Sequence, residues 1–312
     1  MRPIIDAHVH LMPARLEGTV DERYGIKMDA YGCKVLPGGF PAAFLPNYME
    51  KSSFSKEALI HVMDCSDVER AVIMQSLCFK INEDVAEAVQ IYPERLRGAM
   101  AIEPKDESVL DEIRYWYRQG LTVIKFEMSE PFGYTNPNAY PDLDFDSPLM
   151  NKVYDLAGEL GVTVTIDTSP VGTKGFQEEN LHRAVRKHPN TKFVICHLAF
   201  PWVHMENDGE KQARWIRMTD LAQYSNVWFD IAALCAIFRE EEYPYTAATD
   251  ILRSFMDRYS AEKVIWGSDI PGTYVDATYQ QMVHMFTKCG KFTDEELEAM
   301  FRENALKVYF GE

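Results

Sequence analysis

The sequence predicts an α/β protein of the (β/α)8 TIM-barrel class, a single domain over residues 1–312 with a long loop insertion after the first strand. Three observations predict it. Eight short apolar runs are spaced along the 312 residues. Helical material follows each of them. The first run leads into His-Leu-Met-Pro, not into the glycine-rich phosphate turn of a doubly wound open sheet. A chain of this length could be two domains, but α/β barrels routinely use it as one.

The elements follow in order. Pro3-Ile4-Ile5-Asp6-Ala7-His8-Val9-His10 reads as the first strand, and residues two apart on an extended chain share a face, so His8 and His10 can reach one partner. With 8 His in the chain, chance supplies about 0.2 such pairs, so the position at a strand end carries the weight. Residues 11–54, which include Leu36-Pro37-Gly38-Gly39-Phe40-Pro41, are long for a structureless loop and read as a functional lid or inserted subdomain. A helix over 55–68 places Ala58, Leu59, Val62, Met63 and Cys65 on one face. Strands are expected at 71–76, 96–102 and 121–127, alternating with helices over 82–92, stopped by Pro93, and 106–119, ended by Gly120. A second Pro- and Gly-rich stretch, 129–146, reads as a loop; with 11–54 it is expected over the C-terminal mouth of the barrel.

The second half repeats the pattern. Ser147-Pro148 opens a helix that Gly161 closes. A β-branched strand at 162–167, a helix over 176–188 and a strand at 192–197 come next. A helix over 209–224, a strand at 227–231 and a helix over 244–258 lead to a short strand at 264–266 and the turn Gly267-Ser268-Asp269. Helices over 275–289 and 294–309 finish the chain, the second with a capping-box start at Thr293-Asp294-Glu295-Glu296.

Composition narrows the function. Hydrophobic residues at 46% and charged residues at 26% are those of a globular domain with ample core. A formal charge of −16 argues against nucleic acid or an anionic membrane as partner, and an anionic substrate would need local Lys, Arg or metal against that field. The cysteines at 33, 65, 78, 196, 235 and 289 form no CxxC pair. Cys65, Cys78 and Cys196 lie in apolar stretches and read as reduced core residues of a cytoplasmic protein. No secretory h-region precedes the first strand and no run approaches 18 apolar residues, so secretion and a membrane span are not expected. The expected partners are a small-molecule substrate and further copies of the chain in a homo-oligomer.

Active-site groups of such barrels sit at the C-terminal strand ends. Those ends supply His8 and His10, Lys125 and Glu127, Asp167, His197, Asp230 and Asp269, titratable groups punctuating apolar strands at one rim. His8 and His10 read as metal or substrate contacts, with solvent-facing or core histidines as the plainer alternative. Asp269 reads as ligand or general base, or as a turn residue. His197 reads as catalytic, or as a satisfied buried histidine. Lys125 reads as catalytic or as an ion-pair partner of Glu127 or Asp167. Asp167 is divided between site contact and loop capping, and Asp230 reads as structural, orienting a neighbour. Cys196 precedes His197, but adjacent strand residues face opposite sides, which argues against a Cys–His nucleophilic pair. Imidazoles with a carboxylate suit Zn²⁺ or a similar divalent ion, which lowers the pKa of water and polarises a carbonyl.

Three segments, Asp6-Ala7-His8-Val9-His10, Cys196-His197-Leu198-Ala199-Phe200-Pro201-Trp202 and Trp266-Gly267-Ser268-Asp269-Ile270-Pro271, resemble the amidohydrolase-related family of the amidohydrolase superfamily, which contains aminocarboxymuconate semialdehyde decarboxylase, other aromatic-acid decarboxylases and several lactone hydrolases. The resemblance covers essentially the whole chain. It implies His8 and His10 as metal ligands, Asp269 as ligand and proton acceptor, and His197 near the reacting group. The family often carries a His at the end of strand five, where this chain has Asp167. That residue either replaces the histidine as an oxygen ligand, which favours Mn²⁺ beside Zn²⁺, or marks a metal-free site such as some lactone hydrolases have. The expectation is a metal-dependent hydrolase of a small carboxylated lactone, ester or amide. The alternatives are a non-oxidative decarboxylase of an aromatic or unsaturated acid, and a catalytically silent barrel used for binding.

Overall fold

The structure, a computed structural model, describes residues 3–16, 21–47, 49–129, 133–134 and 143–312. Its frame is a sheet of eight parallel strands: β1 (Ile4–His10), β5 (Val68–Met74), β6 (Leu96–Met100), β7 (Val123–Glu127), β8 (Thr163–Asp167), β9 (Phe193–Ile195), β10 (Val227–Asp230) and β11 (Val264–Ile265), hydrogen-bonded in that order. The last strand returns to the first through Ala7 N to Trp266 O at 3.2 Å, Asp269 N to His8 O at 2.7 Å and His10 N to Ile270 O at 2.7 Å. The sheet is thereby closed into the expected (β/α)8 barrel.

Helices follow the strands as expected. They include α1 (Lys56–Cys65), α2 (Asn82–Ile91), α3 (Ser108–Arg118), α4 (Pro148–Leu160), α5 (Glu178–Lys187), α6 (Gly209–Thr219), α7 (Leu234–Ile237), α8 (Thr246–Tyr259), α9 (Tyr279–Thr287) and α10 (Asp294–Glu298). Ser147 caps α4 through Met150 N, with Pro148 in the first turn and left-handed Gly161 after the end. Thr293 and Glu296 form the expected capping box. Beyond α10 the backbone widens into two π-helical turns, Ala299–Glu303 and Leu306–Phe310. On α1, Leu59 and Met63 are buried, whereas Cys65 is exposed, which corrects its reading as a core residue.

The described residues of the 11–54 segment include strands of their own. β2 (Lys27–Met28), β3 (Cys33–Leu36) and β4 (Phe40–Ala43) form a small antiparallel meander, turned at Gly38-Gly39, where both φ angles are positive. Gly32 has φ +68°, and a Cβ there would lie 2.0 Å from Leu45 O, so this crossing admits no side chain. Met12 and Phe44 from the segment line the same cavity as His8, which places the insertion at the C-terminal mouth. Most of the 129–146 loop lies outside the described residues.

Side-chain alternation separates barrel floor from mouth. Ile5, Ala7, Val72, Met74, Ala99, Val123, Val194, Trp228 and Ile265 form one buried cluster inside the barrel with Val308 and Tyr309 of the final turn. That turn plugs the lower end: Thr163 Oγ1 donates to Val308 O at 3.0 Å, and Thr165 Oγ1 lies 3.3 Å from the Tyr309 hydroxyl. Further up, the same inward rows carry Lys125 and Glu127 on β7, Asp167 on β8 and Asp230 on β10. Replacing Tyr309 by Ala should therefore destabilise the barrel by about 3–5 kcal/mol through a cavity under the site, and by Phe about 1 kcal/mol through the lost hydroxyl contact. Urea denaturation measures both; equal losses would mean that packing does not dominate at the plug.

Candidate active site

Three backbone devices bring the strand-end groups together. In β1 the pairing with β5 slips between Asp6 and Val9. This bulge changes the parity of the strand, so Ile5 and Ala7 face the lower core while His8 and His10 face the mouth. At the end of β9 alternation turns Cys196 inward and would turn His197 outward. Instead His197, Leu198, Ala199 and Phe200 adopt φ of 57°, 50°, 56° and 55°, a left-handed turn that brings the imidazole into the cavity. Backbone of this kind costs non-glycine residues about 1 kcal/mol or more each and is found where surrounding structure enforces it. At the end of β11 a Cβ on Gly267 would lie 2.6 Å from His8 Cβ. Glycine thus lets the last strand approach the first closely enough for Asp269, itself at φ 60°, to face the two histidines.

The result is a cavity of about 350 Å³ lined by His8, His10, Lys125, Glu127, Asp167, His197 and Asp269, with Ser76, Ser129, Phe44, Phe200 and Arg239 above them. His10 Nε2 lies 3.0 Å, and His8 Nε2 3.9 Å, from Asp269 Oδ1. These three donor atoms lie within 4.8 Å of one another. Ligands about 2.0–2.2 Å from one tetrahedral ion stand roughly 3.3 Å apart, so the donor set and its spacing fit a divalent ion. His8 is prepared for this by Asp230, whose Oδ2 is 3.0 Å from His8 Nδ1 and directs Nε2 to the cavity. Burial, with the Lys125 ammonium nearby, pulls the His8 pKa down to about 4, leaving a neutral imidazole.

Lys125 and His197 adjoin them. Lys125 Nζ is 3.5 Å from His8 Nε2 and 3.3 Å from Asp167 Oδ2, and His197 Nε2 is 3.4 Å from the same Asp167 oxygen. Asp167 therefore stands outside the three-donor group: one oxygen serves two cationic side chains and Oδ1 has no partner among the described residues. Burial opposes its ionisation, but Lys125 and His197 prevail and hold it below the usual carboxylate range. Burial likewise disfavours charge on His197, yet Asp167 and Asp230 lift its pKa to about 9. His197 is thus an imidazolium at neutral pH, with Nδ1 3.0 Å from Ala232 O. Lys125 is kept charged by the surrounding groups in spite of burial.

Asp230 orients both histidines, and Asp6 anchors the strand behind them, accepting from Ser268 N at 2.8 Å and the Tyr279 hydroxyl at 2.8 Å. Cys196 departs from expectation: its thiol shares a group of donors within 4.8 Å with His8 and His197, because only the histidine needs the left-handed turn to face inward. Burial pushes that thiol well above its ordinary pKa, so it is no nucleophile at neutral pH. Arg239 and Phe44 escaped sequence reading. Both lie on segments after strand ends, which a barrel places at its mouth, but neither stands in a periodic pattern.

The family model described as Amidohydrolase, Amidohydro_2, matches residues 5–311. Similar solved structures include a probable 2-pyrone-4,6-dicarboxylic acid hydrolase from Acinetobacter baumannii with citric acid bound, at 16% identity and TM-score 0.73, covering 99% of this chain and 100% of that one. A zinc-bound amidohydrolase from Burkholderia multivorans aligns at 13% identity and TM-score 0.70, covering 98% and 99%. A 5-carboxyvanillate decarboxylase from Sphingomonas paucimobilis aligns at 13% identity and TM-score 0.61, covering 99% of each chain. No curated protein matches the sequence. At such identities the structural likeness speaks for the fold, while the family match spans nearly the whole length: the chain belongs to the amidohydrolase family Amidohydro_2.

Proposed function

We propose that this protein hydrolyses a small carboxylated lactone, ester or amide with the help of one divalent ion held by His8, His10 and Asp269. The observation that carries the reading is the convergence of those three donors in one cavity, with the Lys125 and His197 cations beside them. A bound ion supplies Lewis acidity, polarising a carbonyl and lowering the pKa of water. Two imidazoles and a carboxylate, with Asp167 engaged elsewhere, suit Zn²⁺; the zinc-bound neighbour lends support.

The chain's own groups supply the rest. Asp269 is ionised and faces the cavity, placed to accept the proton that attacking water loses and to return it to the leaving group. His197, cationic and fixed by Asp230 and Ala232 O, holds the negative charge that develops on the carbonyl oxygen. Lys125 reinforces it from the floor, its charge balanced by Asp167. Arg239 lines the outer cavity with one terminal nitrogen 3.0 Å from Asp276, and supplies a cation for a substrate carboxylate that the overall charge of −16 would otherwise repel.

Protein purified without chelator should contain about one divalent ion per chain, and His10→Ala should lose it while remaining folded; elemental analysis with a thermal melt reads both. Activity that survives chelation in a metal-free preparation would remove the ion from the mechanism.

His197→Asn and Asp269→Asn should each lose about 10²–10⁴ in kcat with little change in melting temperature. Steady-state assays on a panel of carboxylated lactones and esters measure this. Near wild-type kcat in either variant would make that residue structural, and bicarbonate release from hydroxybenzoates without lactone turnover would replace hydrolysis by decarboxylation.

A further inference from the structure

Glu127 has no part in the chemistry above, yet its place is specific. It ends β7 directly beside Asp167 at the end of β8, the two being register partners, and both line the cavity. Both side chains are buried, with Glu127 9% exposed. Glu127 Oε1 accepts the Ser129 hydroxyl at 2.7 Å, and Ser76 bonds to the same carboxyl group. Glu127 Oε2 and Asp167 Oδ1 are buried without a hydrogen-bond partner among the described residues. Two buried carboxylate oxygens without donors, on register-paired residues that line one cavity, are a costly arrangement to retain unless a ligand supplies the hydrogen.

The chemistry of that ligand group is constrained. A carboxylate would face Asp167 and Glu127 directly and be repelled. An ammonium is not called for, because Asp167 already meets two cations, Lys125 and His197. Burial, with Asp167 adjacent, also raises the pKa of Glu127, which weakens its hold on a cation. A hydroxyl fits: it can donate to a carboxyl oxygen and accept from a protonated Glu127 in the same position.

We propose that Glu127, flanked by Ser76 and Ser129, is a specificity-determining residue that reads a hydroxyl group on the substrate. The substrate class is then a hydroxylated small carboxylic acid derivative, with its reacting carbonyl between Asp269 and His197 and its hydroxyl against Glu127. This rests on the hydrolase reading only in taking the cavity to be the substrate site.

The test uses pairs of unreactive acids that differ by one hydroxyl: citrate against tricarballylate, and 3-hydroxyglutarate against glutarate. Calorimetric titration of the wild-type protein should show the hydroxylated member of each pair binding at least about tenfold more tightly, the net contribution of one hydrogen bond. Glu127→Leu should bind both members of a pair equally, while Glu127→Gln, which keeps an acceptor and a donor, should retain most of the preference. Should Glu127→Leu fail to fold, Ser129→Ala in its place should reduce the preference.

No preference in the wild type, no binding of any of the four acids, or a preference that survives Glu127→Leu would each overturn the proposal. The last result would point to a bound metal as the group reading the hydroxyl. Tighter binding of 3-aminoglutarate than of 3-hydroxyglutarate would overturn it in favour of an ammonium. Lactone turnover does not enter these measurements, so a protein that shows the hydroxyl preference but hydrolyses nothing would refute the hydrolase reading and leave this one standing.

Discussion

The buried carboxylate of Asp230 is the point on which the site depends. Its Oδ2 takes His8 Nδ1 at 3.0 Å, while its Oδ1 accepts His197 N at 2.8 Å and Ala232 N at 3.2 Å. One side chain on β10 thus sets the ring orientation of a residue on β1 and the backbone of the turn after β9. A fully buried carboxylate would ordinarily hold its proton. Here burial is outweighed by the charges and hydrogen bonds of His8 and His197, which hold the Asp230 pKa near 2. The left-handed turn at 197–200 is costly backbone, and the charged hydrogen bond to His197 N offsets part of that cost. Two of the three devices that build the site therefore meet at this group.

The barrel was legible because its strands are buried on both faces. Val123–Glu127 and Thr163–Asp167 are buried throughout, and such strands read as near-continuous apolar or β-branched runs. β5 is longer than its apolar run because Glu69 and Arg70 extend it at the lower rim, where Arg302 and Glu312 pair with them. The meander of 11–54 was not legible as strands. Its strands are two to four residues long, and Phe40, Pro41 and Ala43 of β4 are exposed, so no burial pattern marks them. Only the Gly38-Gly39 turn carried a signal, and by itself it reads equally well as an interruption.

The candidate site was legible as a set of strand ends and less so as an arrangement. Ends at one rim of a barrel converge by topology, which is why His8, His10, Lys125, Asp167, His197 and Asp269 all reach one cavity. The division of labour among them depends on departures from ideal backbone. Nothing in Cys196-His197-Leu198-Ala199-Phe200 announces four left-handed residues, since none is glycine. Alternation therefore separated Cys196 from His197 where the fold brings both inward. Asp167 stood in the sequence where a ligand was expected, and only the position of Lys125 one strand away, itself buried and charged, accounts for its engagement elsewhere.

The closure of the barrel also sets the order in which the site can exist. His8 and His10 precede by most of this sequence the carboxylate that faces them, Asp269, which follows the strand that closes the ring. The ribosome adds about 5–20 residues per second, so roughly 10–50 s pass between the two. For most of that interval the growing chain holds the two histidines without Asp230, and to its end without Asp269 or the final turn that plugs the floor. The three groups that face one another in the cavity therefore come together only when the last strand seats against the first.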